Sequence, residues 1–218
     1  MKRSLFVVAL LSLSTFTAGA TIIGGTVTGG TAMGAGGTFI KLTPPLSNPL
    51  GPADSVGNDT FQTPNLYGFD EDQNIHLVAP LVTDAGTNPI PAGTTVASHY
   101  IFFDPGPSLD IVGTVDFDSD IIAIITGTAN LANSDFLANT GVNYLNPALR
   151  GLEAGDSVTI SGTRQILFNT TASSPGDYVR VLTEFSPTAT PEPATISLFG
   201  LGFATLGLLR IRRSKNSS

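Results

Sequence analysis

The stretch SVTISGTRQILF, residues 157–168, alternates apolar and polar side chains along the chain. Alternation with a period of two is typical of a β-strand that buries one face, because successive side chains of a strand point to opposite sides. The even-numbered residues of the stretch share one face, which Arg164 interrupts. The stretch therefore predicts a strand with one covered side and indicates a β-rich fold.

Similar stretches recur along the chain. In residues 178–185, Val179, Val181, Thr183 and Phe185 share one face. Segments rich in proline and glycine, such as 89–93 and 105–107, have the composition of turns and separate the candidates. Seven short strands with such turns predict an all-β fold, an antiparallel β-sandwich of jelly-roll-like or Ig-like type. The candidate strands are 37–42, 74–82, 94–103, 110–117, 121–126, 157–168 and 177–185.

Three segments lack this pattern. Residues 128–139 contain apolar side chains at helical spacings, and they predict one or two short helical turns that cover an end of the sandwich. Residues 24–37 are rich in glycine and threonine and form either a weak first strand or a flexible lead-in. Residues 43–64 contain five prolines and predict a long irregular loop.

The charge of the chain is unevenly distributed. The whole chain carries a net charge of −7, but residues 21–190 hold 16 acidic and four basic side chains, a net charge of −12. A body this acidic repels nucleic acid, because nucleic-acid binding depends on basic contacts with phosphates. The chain has no cysteine, which excludes disulfides, thiol catalysis and thiolate metal sites. A body of this length is large enough for a core without such cross-links.

The N-terminus has the three parts of a secretory signal peptide. Lys2 and Arg3 form a charged start, residues 5–13 are almost entirely apolar, and Ala18-Gly19-Ala20 is a small-residue cleavage site. Cleavage after Ala20 makes Thr21 the first residue of the mature chain. The alternative is an uncleaved anchor, although the apolar part is too short to span a bilayer.

The C-terminus has a different arrangement. The triplet Pro191-Glu192-Pro193 precedes an uncharged run from Ala194 to Leu209, and a basic cluster follows that run. Sixteen helical residues reach roughly 24 Å, short of the ~30 Å hydrocarbon core, but a snorkelling arginine extends the run. Basic residues at one flank and glycines within the run favour a transmembrane helix over the alternative of a buried core helix. The basic residues that end the run are Arg210, Arg212 and Arg213.

This order of triplet, apolar run and basic end resembles a PEP-CTERM sorting tail. The resemblance covers residues 190–218 and implies processing by a membrane-embedded exosortase-type enzyme in a Gram-negative bacterium that produces exopolysaccharide or biofilm. We expect three parts in the chain: a signal peptide (1–20), a β-sandwich body (21–186) and a sorting tail (187–218). The tail would hold the protein in the inner membrane transiently, before release to the cell envelope or the extracellular space.

Residues that could support catalysis are sparse in the body. His76 and His99 are its only histidines, and neither belongs to a zinc-protease motif. No Gly-x-Ser-x-Gly motif is present, which argues against an α/β-hydrolase nucleophile. His99 falls within a candidate strand, where a structural histidine is the commoner reading. We therefore predict a protein without enzymatic activity, catalytic residues or a cofactor.

One acidic series is a weak candidate for a metal site. Asp116, Asp118 and Asp120 stand at alternate positions and would lie on one side of an extended chain. Carboxylates of this kind can bind Ca²⁺, although the series lacks the glycine and the final glutamate of an EF-hand. The alternative, which we favour, is a set of solvated acids at the end of a strand.

Two classes of function remain. The first is an exported structural or interaction protein of the cell surface or extracellular matrix. The second is a secreted carbohydrate-binding module or carbohydrate-active enzyme. A protein of this class could also bind calcium as a stabilising ion. The absence of tryptophan weakens the second class only slightly, because phenylalanine and tyrosine also form platforms for sugars. Extracellular polysaccharide is a candidate partner in both classes.

Overall fold

The computed structural model describes residues 19–57 and 59–185. Most of the predicted signal peptide, including Ala18, and the whole predicted sorting tail lie outside the described residues. The helices are α1 (Gly30–Gly34) and α2 (Thr128–Asn133), with 3-10 turns at Asp135–Leu137 and Pro147–Leu149. The strands are β1 (Ile22–Gly29), β2 (Phe39–Lys41), β3 (Ser55–Val56), β4 (Leu66–Asp70), β5 (Ile75–His76), β6 (Ala85–Gly86), β7 (Thr95–Phe103), β8 (Leu109–Phe117), β9 (Ile121–Ile125), β10 (Asn143–Tyr144), β11 (Ser157–Gly162), β12 (Gln165–Ala172) and β13 (Asp177–Glu184).

The described strands form two main sheets. Sheet A has the order β1-β8-β12-β11 and is antiparallel throughout. Sheet B has the order β2-β4-β7-β13-β9-β6, with β5 paired to β7 beside this path. Its pairs are antiparallel except for β2 with β4, and the short pair β3–β10 is also parallel. The prediction of a β-rich fold is confirmed, and among the described strands antiparallel pairing holds for every pair but these two.

One hydrophobic core lies between the two sheets. Sheet A contributes Phe117 and Phe168, and sheet B contributes Ile101 and Phe103, all at most 1% exposed. These residues belong to one contiguous cluster, so the two sheets pack face to face. The other buried members are Ile22, Val27, Ala32, Leu66, Ile111, Val115, Ile124, Val158, Ile166, Ala172, Val179 and Val181.

A second core lies on the opposite face of sheet B. Here Tyr100, Phe102 and Tyr178 of the sheet meet Leu131 and Leu137 of the helical segment and several loop residues. Sheet B is thus covered on both faces, which explains why nearly every residue of β7 and β13 is buried. The helical turns predicted for residues 128–139 are confirmed, but they cover a face of sheet B rather than an end of the sandwich. The helices of the described part are all short, and none has the length and apolar character needed to cross a bilayer.

The stretch 157–168 is a hairpin rather than one strand. β11 and β12 pair antiparallel around a turn at Thr163 and Arg164, with Val158 opposite Phe168. Gly162 pairs with Gln165 across the turn, but a register shift between Ile160 and Gly162 then places even-numbered residues opposite even-numbered ones, so they share one face. Val158, Ile166 and Phe168 therefore still share the core, as the alternation predicts. Arg164 interrupts the pattern because it belongs to the turn, where its side chain is 58% exposed.

Three other segments compare with the predictions in different ways. The strand predicted at 74–82 is reduced to β5 and a single bridge between Leu81 and Ile90, because the chain bends outward at Val78 and reaches Pro80. Of the two alternatives for residues 24–37, the first strand is the one observed: these residues contain most of β1, in sheet A, followed by α1. No strand was predicted at β4, which lies inside sheet B next to β7.

A buried ion pair joins β13 to the residue that follows β4, and the same arginine also binds the helical segment at residues 128–137. Arg180 of β13 is fully buried and forms two bonds to the carboxylate of Glu71, Nε to Oε2 at 2.6 Å and Nη2 to Oε1 at 2.9 Å. The same guanidinium donates from Nη1 to the hydroxyl of Ser134 at 2.6 Å and to the carbonyl of Leu131 at 3.1 Å. Arg180 therefore fastens the helical segment to the centre of the sheet.

The acceptor side of this pair is equally well satisfied. Glu71 also accepts hydrogen bonds from the hydroxyls of Ser98 at 2.6 Å and Tyr144 at 2.7 Å. Burial alone would lower the pKa of Arg180, but the adjacent charge and hydrogen bonds of Glu71 outweigh it and raise the pKa. The guanidinium is therefore charged at every physiological pH. Its hydrogen bonds to Glu71, Ser134 and Leu131 offset the free-energy cost of removing the charge from water.

Replacement of Glu71 by alanine should destabilise the protein by about 3–5 kcal/mol, because it leaves the Arg180 charge buried and unpaired. The change is measurable as a lower midpoint in urea unfolding. Asp120→Ala is the matched control, since Asp120 pairs with Arg164 at the same 2.6 Å but both side chains are about half exposed. The control should change the midpoint little. Equal effects of the two substitutions would contradict the assigned role of burial.

A second buried carboxylate lacks a complete set of partners. Asp104 is 0% exposed; its Oδ2 accepts the backbone N–H of Phe61 at 3.0 Å, and its Oδ1 has no hydrogen-bond partner. Burial raises the pKa of Asp104 to about 6, the Phe61 amide acts against this, and the charge of Asp59 adds to it. The folded state therefore favours the protonated carboxyl, and stability falls as the pH rises from the unfolded value of about 4 to about 6.

Asp104→Asn should remove this loss of stability, because the amide carries no charge and can still accept the Phe61 bond. We expect the variant to gain thermal midpoint over the wild type at pH 8 and to gain much less at pH 4.5. Melting curves at both values measure the difference. Glu184→Gln, at an exposed acid, is the control and should show no such pH-dependent gain. A gain of the same size at both pH values would count against the raised pKa.

Candidate functional site

The residues predicted for sorting lie outside the described part of the chain. These are Ala18 of the cleavage site, Pro191, Glu192 and Pro193, the apolar run from Ala194 to Leu209, and the arginines at its end. Ala20 is described and is buried. Glu184 ends β13, the last strand of the described part, which lies inside sheet B between β7 and β9.

The structure does not bring Asp116, Asp118 and Asp120 together around one point. Asp116 accepts a bond from Gln165 at 2.7 Å, Asp118 accepts the backbone N–H of Thr21 at 2.8 Å, and Asp120 pairs with Arg164 at 2.6 Å. Each carboxylate thus has its own partner. Among residues 19–57 and 59–185, no group of three or more acidic or histidine side chains has the arrangement of a metal site.

Asp70 is the centre of the most concentrated polar cluster near the surface. Its Oδ1 accepts the backbone N–H of Ile22 at 2.9 Å, and its Oδ2 accepts the hydroxyl of Thr21 at 2.7 Å. Lys41 forms an ion pair with Oδ2 at 2.8 Å, and His99 contacts Oδ1 through Nδ1 at 2.8 Å. The cluster connects the first strand of sheet A to three strands of sheet B.

The electrostatics of this cluster keep Asp70 ionised. Burial raises the pKa of the carboxyl, but the hydrogen bond and charge of His99, together with Lys41 and the Ile22 amide, outweigh it and hold the pKa well below its usual range. His99 itself is fully buried, and its Nε2 lies 3.1 Å from the hydroxyl of Thr183. Both ring nitrogens thus have partners inside the protein, which agrees with the reading of His99 as a structural histidine.

A surface groove lies where the chain bends outward after β5. It has a volume of about 340 Å³ and lies between the bend and helix α2 with its following turn. Val78 is 93% exposed, Val82 is 54% exposed and the ring of Phe136 is 57% exposed. Exposed apolar side chains gathered in a groove are typical of a binding surface.

The rim of this groove is polar. Asn130, Asn133 and His76 line it, and Asn130 is held by a bond from its Nδ2 to Asp84 at 2.7 Å. Asp84 also accepts the backbone N–H groups of Thr126 and Gly127, so it fixes the start of α2. An aromatic ring flanked by amides and an imidazole can bind a ligand that has both apolar faces and hydroxyl groups.

Some of these residues are recognisable in the sequence and others are not. The two histidines and the proline at the bend stand out, but the groove depends on the proximity of Phe136 and Val78, which no local pattern indicates. Asp70 and Glu71 were visible only as part of an acidic run. An arginine in the middle of an apolar strand, as at Arg180, was the one signal for a buried ion pair.

Comparison with known proteins gives one match. Residues 189–213 match the PEP-CTERM protein-sorting motif, a range that includes the proline triplet, the apolar run and all three predicted arginines. No curated protein and no solved structure matches the chain. The resemblance seen in the sequence is therefore confirmed for the tail. The C-terminal segment of this chain is a PEP-CTERM sorting motif, which implies membrane-associated sorting by an exosortase and export to the cell surface.

Proposed function

We propose that this protein is a structural or interaction component of the cell envelope or extracellular matrix. An exported chain is held in the inner membrane by its apolar tail, is processed by an exosortase, and is released to the cell exterior in connection with exopolysaccharide or biofilm. The observation that carries the proposal is the sorting motif at residues 189–213. The basic cluster that ends the motif favours a cytoplasmic C-terminal end.

Features of the body support a non-enzymatic role. The strongest polar clusters, around Glu71 and Asp70, are satisfied by side chains and backbone groups of the protein itself. His99 has partners at both ring nitrogens, and His76 is exposed on the rim of the groove. We propose a β-sandwich of jelly-roll-like or Ig-like type, with an added layer over sheet B, that acts as a stable acidic module on the outside of the cell.

Replacement of Pro191, Glu192 and Pro193 by alanines should block processing, because it removes the extended segment that an exosortase would recognise. The variant should accumulate at full length in the membrane fraction, while the wild type is shortened and released. Immunoblots of membrane and culture fractions, with intact mass of the released form, measure this.

The matched control is Pro187→Ala, which changes a proline of the same tail outside the matched residues. It should be processed like the wild type. Normal processing and release of the triple-alanine variant would refute the sorting proposal, and loss of processing in both variants would assign the effect to the linker instead.

The groove beside Phe136 favours carbohydrate binding as a second candidate function. An exposed aromatic ring can stack against the apolar face of a sugar, and the adjacent amides of Asn130 and Asn133 can bond to its hydroxyls. Carbohydrate binding at this groove corresponds to the second class of function in the sequence analysis, a secreted carbohydrate-binding module. In a matrix protein, such a groove would attach the body to extracellular polysaccharide.

Phe136→Ala should weaken polysaccharide binding at least tenfold if the groove is the binding site, because it removes the exposed ring that would stack against the sugar. Binding of the released protein to immobilised extracellular polysaccharide, or to a glycan array, measures the loss. Phe185→Ala is a suitable control, since this ring is 49% exposed but does not line the groove. Saturable binding that survives Phe136→Ala would place the site elsewhere, and the absence of saturable binding by the wild type would reject this function.

A further inference from the structure

The first residues of β1 are held by two carboxylates from different parts of the fold. The backbone N–H of Thr21 donates to Oδ1 of Asp118 at 2.8 Å, and the backbone N–H of Asp118 donates back to the carbonyl of Thr21 at 3.0 Å. Asp70 accepts the next amide, that of Ile22, and the hydroxyl of Thr21. The main chain at Thr21 is therefore fixed in direction as well as in position.

The Asp118 carboxylate accepts hydrogen bonds but has no ion-pair partner among the described basic side chains. Besides the Thr21 amide, it accepts a bond from the hydroxyl of Ser119 at 3.1 Å. Arg164 lies close enough to interact with it electrostatically, but that guanidinium is paired with Asp120. Within the described part of the chain, no basic side chain forms an ion pair with Asp118. A carboxylate in this setting binds a cation more strongly than it binds a neutral amide.

Signal-peptide cleavage would create such a cation at this position. The small residues Ala18-Gly19-Ala20 predict cleavage immediately before Thr21. Hydrolysis of that peptide bond adds one water: the carboxylate goes to Ala20, and the nitrogen of Thr21 becomes an α-ammonium with three protons. The nitrogen that already faces Asp118 as a neutral N–H donor would then carry a full positive charge.

We propose that Asp118, with Asp70 beside it, is a binding site for the α-ammonium of Thr21 in the mature chain. Removal of the signal peptide then strengthens the attachment of β1 to the rest of the fold by one ion pair. The inference rests on the part of the proposed function that concerns export. It also assigns a role to Asp118 that differs from the calcium site considered for the acidic series.

The proposal predicts a pH dependence with a definite sign. An α-amino group ordinarily has a pKa of about 7.7–8, and carboxylates that face it raise this value in the folded state. The stabilisation is therefore fully present below about pH 7.7 and is lost as the pH rises through the raised value. The charged or titratable groups nearby are Asp118, Asp70, Lys41, His99 and Arg164.

The test compares four proteins that all keep the C-terminal segment and are purified in detergent. Two begin at Thr21 and two retain Ala20, which moves the ammonium one residue away; each start is made with Asp118 and with Asp118→Asn. At pH 6.5, the Thr21 start should have a thermal midpoint about 2–4 °C above the Ala20 start when Asp118 is present. This advantage should vanish in the Asp118→Asn pair and should disappear above about pH 9.5.

The double comparison isolates the proposed ion pair, because Lys41, His99 and Arg164 are present in all four proteins and their contributions cancel. Asparagine can still accept the Thr21 bond, so the variant removes the charge with little change in shape. An advantage that is equal with Asp118 and with Asp118→Asn, or that does not change with pH, would overturn the proposal. Intact mass of the exported protein gives a separate check: a chain that begins elsewhere than Thr21 overturns the proposal, whereas failure of the four-protein comparison leaves export and sorting untouched.

Discussion

The ion pair between Arg180 and Glu71 is the constraint around which this fold is arranged. A sheet covered on one face can turn its charged side chains toward water, but sheet B is covered on both faces and has no such side. A guanidinium in the middle of β13 must therefore find all of its partners inside the protein. The partners come from the end of β4 and from the helical segment after β9, so satisfying one charge fixes how three distant parts of the chain meet.

The contrast between Arg180 and Arg164 shows why bond length alone says little about stability. Both guanidinium groups lie 2.6 Å from a carboxylate oxygen, yet one pair is fully buried and the other is about half exposed. Water already solvates the exposed pair well, so the bond adds little. Water cannot solvate the buried pair, so each charge depends on the other. The helical segment at residues 128–137 can pack on sheet B only if this pair forms.

Much of the sheet framework was predictable because it depends on local alternation. β7, β8, β9 and β13 were predicted within a residue or two, and the shared face of the stretch 157–168 was correct even though the stretch is a hairpin. The register shift near the end of β11 keeps even-numbered residues on one face through the turn, so alternation alone cannot distinguish this hairpin from one long strand. β4 was missed because Leu66 to Asp70 is buried on both faces and shows no alternation at all. The groove and the Asp70 cluster depend on contacts between residues far apart in sequence, which no local pattern contains. The tail, by contrast, acts as a linear signal, and its meaning could be read directly from the order of its parts.

The position of β13 has a consequence for the order in which the protein folds. β13 pairs with β7 on one side and β9 on the other, so without it sheet B consists of two separate pieces. β13 is also the last strand of residues 19–57 and 59–185, and it ends at Glu184, five residues before the sorting motif begins at residue 189. The pairing that joins the two pieces of sheet B therefore depends on the described strand closest in sequence to the sorting motif, and long-range pairing of this kind forms slowly.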